Sequence, residues 1–252
     1  MNTGPFPELT RVCSDLPLFF IEVVTSTNTF MKEWTQEVTL ENGTALYAGD
    51  QTSGRGRPGN QWIHVPGNLA LSFWISGGAE EVFPWTLKSA FILLEFLSEM
   101  GLPCCLKYPN DVWLQDPPGK IAGILVEKVR NGFVIGIGVN RVAPSEIPKA
   151  RGFERLPEMH RLAQELTSRF HRRFMDHPSD RIPLEQILER LNDLLLWKGR
   201  WVALKGPQGP SVGKIICLDP TGRLLLTASD GQRFLLHETV RALELVGESD
   251  ES

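Results

Sequence analysis

CCLKYPNDVWLQDPPGKIAGILVEKVRNGFVIGIGV, residues Cys104 to Val139, alternates four apolar segments with three turn signals. The segments are Cys104–Lys107, Val112–Gln115, Lys120–Lys128 and Phe133–Val139. The breaks are Pro109-Asn110-Asp111, Asp116-Pro117-Pro118-Gly119 and Arg130-Asn131-Gly132. Proline presets one backbone angle and Asn-Gly tolerates the left-handed region, so the stretch reads as strands linked by tight turns. Ile121 to Val126 is almost continuously apolar, which implies a sheet covered on both faces.

Working outward from this stretch, Leu18–Val24, Thr44–Gly49 and Leu69–Ile75 read as further strands. Ser26 or Thr27 is placed to cap a helix running to about Gln36. Phe83, Leu87, Phe91, Leu94 and Leu97 recur at helical spacing, with Gly101 as the stop. A polar loop spans 141–155. Two amphipathic helices follow, one through Leu156, Met159, Leu162, Leu166, Phe170 and Phe174, the other through Leu184, Ile187, Leu191 and Leu195. From Gly199 the pattern turns to short strands broken by Gly, Pro and Asp, as expected of a small antiparallel barrel. The fold class is therefore α+β, with domains expected at 1–198 and 199–246 and a disordered tail at 247–252.

With 252 residues, 42% of them hydrophobic, the chain is long enough to fold around a large core without staples. Its net charge of -4 argues against a nucleic-acid surface, which needs clustered cationic excess. No apolar run approaches the roughly 20 residues of a membrane span, and the first ten residues lack a signal-peptide pattern. Four cysteines, two of them adjacent at Cys104-Cys105, suit reduced thiols and a cytoplasmic setting. The five histidines, His64, His160, His171, His177 and His237, form no ligand-spaced cluster, so no resident metal site is expected.

Chemistry is concentrated in four places. Gly54-Arg55-Gly56-Arg57-x-Gly59 lacks the dinucleotide spacing, but alternating Gly and Arg lets two guanidinium forks face one concavity. Lys107 precedes the turn at Pro109, and Lys120 stands at the mouth of an apolar strand that contains Gly123. Glycine inside a strand marks close approach by ligand or backbone, and Gly136-x-Gly138-Val139-Asn140 repeats the theme. Cations beside glycines are what an adenylate-forming site needs, because a carboxylate and a triphosphate repel unless both are held.

Together, Ser26-Thr27-Asn28, Gln51-x-x-Gly54-Arg55-Gly56-Arg57-x-Gly59-x-x-Trp62, Lys107-x-Pro109-Asn110-Asp111, Lys120-Ile-Ala-Gly123-Ile-Leu-Val-Glu127 and Gly136-x-Gly138-Val139-Asn140 resemble the signature series of biotin protein ligases. The resemblance covers about residues 20–245. It implies a mixed sheet with helices of the biotin/lipoate ligase type, followed by a small SH3-like barrel. It also implies a two-step reaction: biotin and ATP form biotinyl-5'-AMP, and the acyl group then moves to one lysine of a biotin carboxyl carrier domain. Magnesium would accompany the nucleotide.

By the same resemblance, Ser26, Thr27, Asn28 and Gln51 would hold biotin's bicyclic head, with Gly123 and Gly136 lining its pocket. Gly54, Arg55, Gly56 and Arg57 would close over the ligand. Lys120 would hold the biotin carboxylate and Lys107 the α-phosphate. Arg57, Trp62, Asn110 and Asn140 would serve the nucleotide. Asp111, beside Lys107, is expected to orient or deprotonate the acceptor amine, whose free pKa is near 10.4. Tyr108 stands where that family commonly has Trp, Pro58 fills a variable loop position, and Asn60 replaces a frequent arginine. A lipoate or octanoate ligase or transferase of the same fold is the alternative. A winged-helix repressor is not expected, because little sequence precedes Pro17. The state in solution is expected to be a monomer or homodimer.

Overall fold

The computed structural model of the chain describes residues 8–77, 82–176, 181–206, 209–236 and 242–246. The expected tail 247–252, His177 and His237 lie outside them.

The main element is an eight-stranded sheet. In chain order its strands are β1 (Thr10–Arg11), β2 (Leu18–Val24), β3 (Ala45–Gln51), β4 (Leu69–Ser76), β5 (Cys104–Lys107), β6 (Asp111–Gln115), β7 (Pro118–Val129) and β8 (Gly132–Val139). Their spatial order is β1-β2-β3-β4-β8-β7-β6-β5. β2 and β3 run parallel, joined by helix α1 (Thr27–Glu37), and every other pair is antiparallel. The mixed sheet expected from the sequence is therefore present, and the 104–139 stretch forms its β5 to β8 meander. Ser26 occupies the cap position of α1, but its side chain makes no capping hydrogen bond.

Two cores flank this sheet, because successive side chains point to opposite faces. On one face Phe30, Met31 and Trp34 of α1 pack on Ile21, Leu46, Ala48, Trp74 and Val134. On the other, α2 (Val82–Glu99), α3 (Met159–Phe170) and α4 (Leu184–Asp193) cover Ala45, Tyr47, Leu71, Phe73, Ile135 and Ile137. The alternation within β3 shows the division: Ala45 and Tyr47 face one core, Leu46 and Ala48 the other. α3 is shorter than the apolar spacing suggested. Leu156 packs from the preceding loop, and the helix passes at His171–Met175 into a π-helical turn that buries Phe174.

A second sheet follows, made of β9 (Trp201–Gly206), β10 (Gly209–Leu218), β11 (Leu224–Thr227), β12 (Arg233–Leu236) and β13 (Ala242–Leu245), in the order β12-β11-β10-β9-β13. It is antiparallel throughout. A barrel requires its edge strands to hydrogen-bond to each other. Among the described residues β12 and β13 do not pair, so the sheet is open and the closed SH3-like barrel is not seen. Asn192 of α4 fastens this sheet to the body, accepting from the Leu218 amide at 2.6 Å.

Candidate functional site

The face of the main sheet that carries α1 is only partly covered. Beyond the end of the helix, β4, β8 and β7 present Ala70, Gly136, Gly138 and Gly123, side chains too small to fill the space. The result is a cavity of about 330 Å³. Strand register lays its floor in a cross-strand row: Ala70 opposite Gly138, Gly138 opposite Gly123, Gly123 opposite Asp111 and Asp111 opposite Lys107. Small residues at one end of this row thus give way to charged ones at the other.

Two of the glycines are required by close approach. A methyl group at Gly138 would collide with the indole of Trp62, and one at Gly136 would collide with the carboxamide of Asn28. At Gly123 a methyl would come within 2.9 Å of the Lys120 ammonium and 3.3 Å of Trp62. The glycines therefore create the volume in which Trp62 and Lys120 lie over the sheet.

Arg55, Gly56, Arg57, Asn60, Gln61 and Trp62 form one wall. This loop closes on itself through an Arg55–Gln61 bridge, a Gly56 amide donating to Asn60 O at 3.2 Å and a Trp62 amide donating to Gly54 O at 3.1 Å. Gly54 does not line the cavity. Its missing side chain lets the Trp62 carbonyl pass, so its role is in the loop's own architecture.

Next to this loop Gln51 Oε1 accepts from the Thr27 amide at 2.8 Å and from its hydroxyl at 3.1 Å. The Ser72 hydroxyl, wholly buried, lies 2.8 Å from Thr27 Oγ1 and 2.6 Å from Asn28 Oδ1. Ser26, Thr27 and Asn28 are all buried and line the cavity. Ser72 escaped sequence reasoning, although a lone hydroxyl in the apolar run of β4 was the available signal. Asn140, also buried, accepts from Asn68 Nδ2 at 3.2 Å, while Asn68 Oδ1 takes the amides of Arg141 and Val142. Asn68 thus secures the loop whose Pro144, Ile147 and Ala150 complete the lining.

The charges are paired. Lys120 meets Asp111 at 2.7 Å, and Lys107 stands opposite Asp111 in the strand pairing, beside it as the sequence suggested. Arg57 donates to Asn110 Oδ1 at 3.4 Å, and Asn110 donates to Ile124 O at 3.0 Å. Arg55 pairs with Glu127 at 3.1 Å, and the other partners of Glu127 are Lys32 at 2.9 Å and Asn28 at 3.0 Å. Burial raises the Glu127 pKa, but the Lys32 and Asn28 hydrogen bonds and the nearby cations outweigh it and hold the carboxyl below its usual range. Lys32 and the latching role of Glu127 were not read from sequence, because they depend on α1 lying beside β7.

Lys107 is the exception among the expected cations. It does not line the cavity but stands at the rim, with its ammonium 4.3 Å from the Trp113 ring and 5.1 Å from that of Trp197. Burial pushes it below the ordinary lysine range, opposed by Asp111 and reinforced by Lys149 and Lys120. Arg55, Arg57, Lys120, Asp111, Ser26, Thr27, Asn28, Gln51, Gly56, Gly123, Gly136, Trp62, Asn110 and Asn140 do converge on the one cavity. Such a site can hold two anions side by side over a floor that excludes bulk.

Residues 20–140 match the biotin/lipoate A/B protein ligase family. The chain is 37% identical over 129 residues to the bifunctional ligase/repressor BirA of Escherichia coli strain K12, a match covering 48% of this chain and 39% of that protein. Over 211 residues it is 28% identical to the biotin–acetyl-CoA-carboxylase ligase of Mycobacterium tuberculosis, covering 75% of this chain and 77% of that one. The chain spans less than half the length of the first curated relatives it matches. Among solved structures, the biotin protein ligase from Aquifex aeolicus in complex with biotin and ATP has the same fold, with a TM-score of 0.75 at 24% identity, covering 91% of this chain and 99% of that one. The matched segment runs from within β2 to the end of β8 and supplies every cavity wall except the 141–155 loop, so the likeness to the biotin/lipoate A/B protein ligase family lies in the residues that build the cavity.

Proposed function

We propose that the chain activates biotin with ATP as biotinyl-5'-AMP and transfers the biotinyl group to one lysine of a biotin carboxyl carrier domain. The observation that carries this reading is the convergence of Arg55, Arg57 and Lys120 on a glycine-floored cavity that the neutral Ser26, Thr27, Gln51 and Asn28 cluster also lines. The neutral cluster suits an uncharged bicyclic head, and the cations suit a carboxylate and a triphosphate. The relative named for acetyl-CoA-carboxylase ligation and the neighbour that binds biotin and ATP fit that division.

In the first step a carboxylate oxygen of biotin attacks the α-phosphorus and pyrophosphate leaves. Lys120 exchanges Asp111 for the incoming carboxylate, while Arg55 and Arg57 neutralise the phosphates. Holding both reactants in one cavity supplies about 7 to 11 kcal/mol through effective molarity. Trp62 offers a flat face to the adenine, and its buried indole N–H has no protein acceptor among the described residues, which leaves it available to a ligand. Magnesium would accompany the nucleotide's phosphates.

In the second step the acceptor amine attacks the acyl carbon, AMP leaves with the bonding pair, and the amine loses its proton. Asp111, released from Lys120, is the base placed to take it. The four cysteines are free and suit a reducing, cytoplasmic compartment, and the chain would act as a monomer or homodimer.

The test is to mix the purified chain with ATP, biotin and an unmodified carrier domain and to follow the carrier by intact-mass spectrometry. One biotinyl group on one lysine, absent without ATP, is expected. No modification with biotin, or equal modification with lipoate or octanoate, would overturn the reading.

A further inference from the structure

Trp197 is the one non-glycine residue with a positive φ among the described residues, at 62°. A bulky side chain in that region is a genuine outlier, and such strain persists only where the surroundings enforce it. The enforcement is visible. The chain leaving α4 pairs with the edge of the main sheet: the Leu106 amide donates to Leu194 O at 2.8 Å and the Leu196 amide to Leu106 O at 2.9 Å. The next residue must then turn away into β9, with the Arg200 amide donating back to Trp197 O at 2.8 Å and the Gly199 amide to Ile215 O at 2.9 Å. Between these two anchorages the indole of Trp197 is pressed against Trp113, their ring centroids 6.0 Å apart and edge to face.

Lys107 lies in the angle between those rings. It ends the cross-strand row that forms the cavity floor, directly opposite Asp111. We propose that Trp197 is a positioning residue for Lys107: with Trp113 it forms an aromatic clamp that holds the ammonium at the rim of the cavity, so that the seating of the second sheet sets the placement of this cation. The inference rests on the ligase reading above in assigning Lys107 to the phosphate end of the site.

The charged groups facing Lys107 come from four elements: Asp111 of β6, Lys120 of β7, Lys149 of the 141–155 loop and Glu244 of β13. Two are cationic and two anionic, and within this mixed surround the two rings flank the ammonium directly. An ammonium over a ring face is attracted by its quadrupole most strongly where water is excluded.

The test compares the wild-type chain with Trp197→Gly and Trp197→Phe. Glycine adopts the left-handed backbone without strain, so it preserves the turn while removing the ring, and phenylalanine keeps a ring. The first readout is independent of any activity: competitive acetylation of Lys107 with acetic anhydride across a pH series, read by peptide mass spectrometry. Lys107 of the wild type is expected to gain reactivity at lower pH than an ordinary lysine. Burial outweighs the rings' attraction in lowering the wild-type value, so opening the site to water in Trp197→Gly should move its curve up towards the ordinary range, and Trp197→Phe should stay near the wild type. The second readout is biotin-dependent exchange of pyrophosphate into ATP. There Trp197→Gly should lower kcat about tenfold with the KM for biotin within about twofold, and Trp197→Phe should restore most of the rate.

Superimposable labelling curves for all three proteins would overturn the clamp, as would a Trp197→Gly defect confined to KM. Should the wild type exchange nothing with biotin, the ligase reading fails, and the labelling series still decides whether Trp197 positions Lys107.

Discussion

Glycine does at Gly138 what no other residue can. Its α-carbon lies beneath the Trp62 ring, and a β-carbon would have to occupy space the indole already fills. Gly138→Ala should therefore displace Trp62 and the loop that carries it while leaving the core on the opposite face intact. An increase of about tenfold or more in the KM for ATP, with a melting temperature within a few degrees of the wild type, is expected from exchange kinetics and calorimetry. This residue also marks what the sequence could reveal. Glycines within an apolar strand announced a close approach, but not by which group, because Trp62 arrives from a loop some 75 positions away in the chain. Ser72 and Lys32 were hidden for the same reason: their partners, Thr27 with Asn28 and Glu127, are assembled only by tertiary packing. Lys107 was visible as a cation but not as one enclosed by indoles, since Trp197 reaches it from beyond α4.

Secondary elements were the most legible level, because period and turn chemistry are local. The meander β5 to β8 follows directly from its apolar segments and its Pro, Asn and Gly breaks, and β3 and β4 need only extended, buried sequence. The second sheet was legible as strands but not in its closure, which depends on how its edges meet. Within that sheet the turn after β10 offers a clean local test. The Asp219 carboxylate accepts from the Thr221 amide at 2.9 Å, the Thr221 hydroxyl at 2.7 Å and the Arg223 amide at 2.9 Å. Asp219→Ala should remove all three and cost about 1 kcal/mol, seen as a lower urea midpoint at unchanged m-value. Because the lost contacts are local to this turn, the exchange rate with biotin should be little altered.

At the scale of the molecule, acid should be the sensitive direction. The Glu99 carboxyl is held low by hydrogen bonds from Arg169. At Asp219 and Glu127 burial works upward and is outweighed, by Thr221 and Arg223 in one case and by Lys32 and Asn28 in the other. Each folded-state pKa is thus below its unfolded value, so the unfolded chain binds more protons as the pH falls. The stability these groups contribute is complete above the ordinary carboxylate range near pH 4 and is lost as the pH drops through the lowered values. Melting temperatures followed downward from pH 6 should therefore fall below about pH 4, and Glu127→Gln should show a smaller fall than the wild type. Salt should weaken the Arg55–Glu127 pair, whose arginine is exposed, more than the Lys120–Asp111 pair, whose partners are both half-buried. The convergence of Arg55, Arg57 and Lys120 on a glycine-floored cavity has its most direct test in the exchange of labelled pyrophosphate into ATP by the purified chain with biotin, lipoate or octanoate as the only added acid. Rapid exchange with biotin, little with the other two, and a loss of about a hundredfold in Lys120→Gln is the expected result. Exchange that is absent with biotin, or undiminished when Lys120 is replaced, would contradict it.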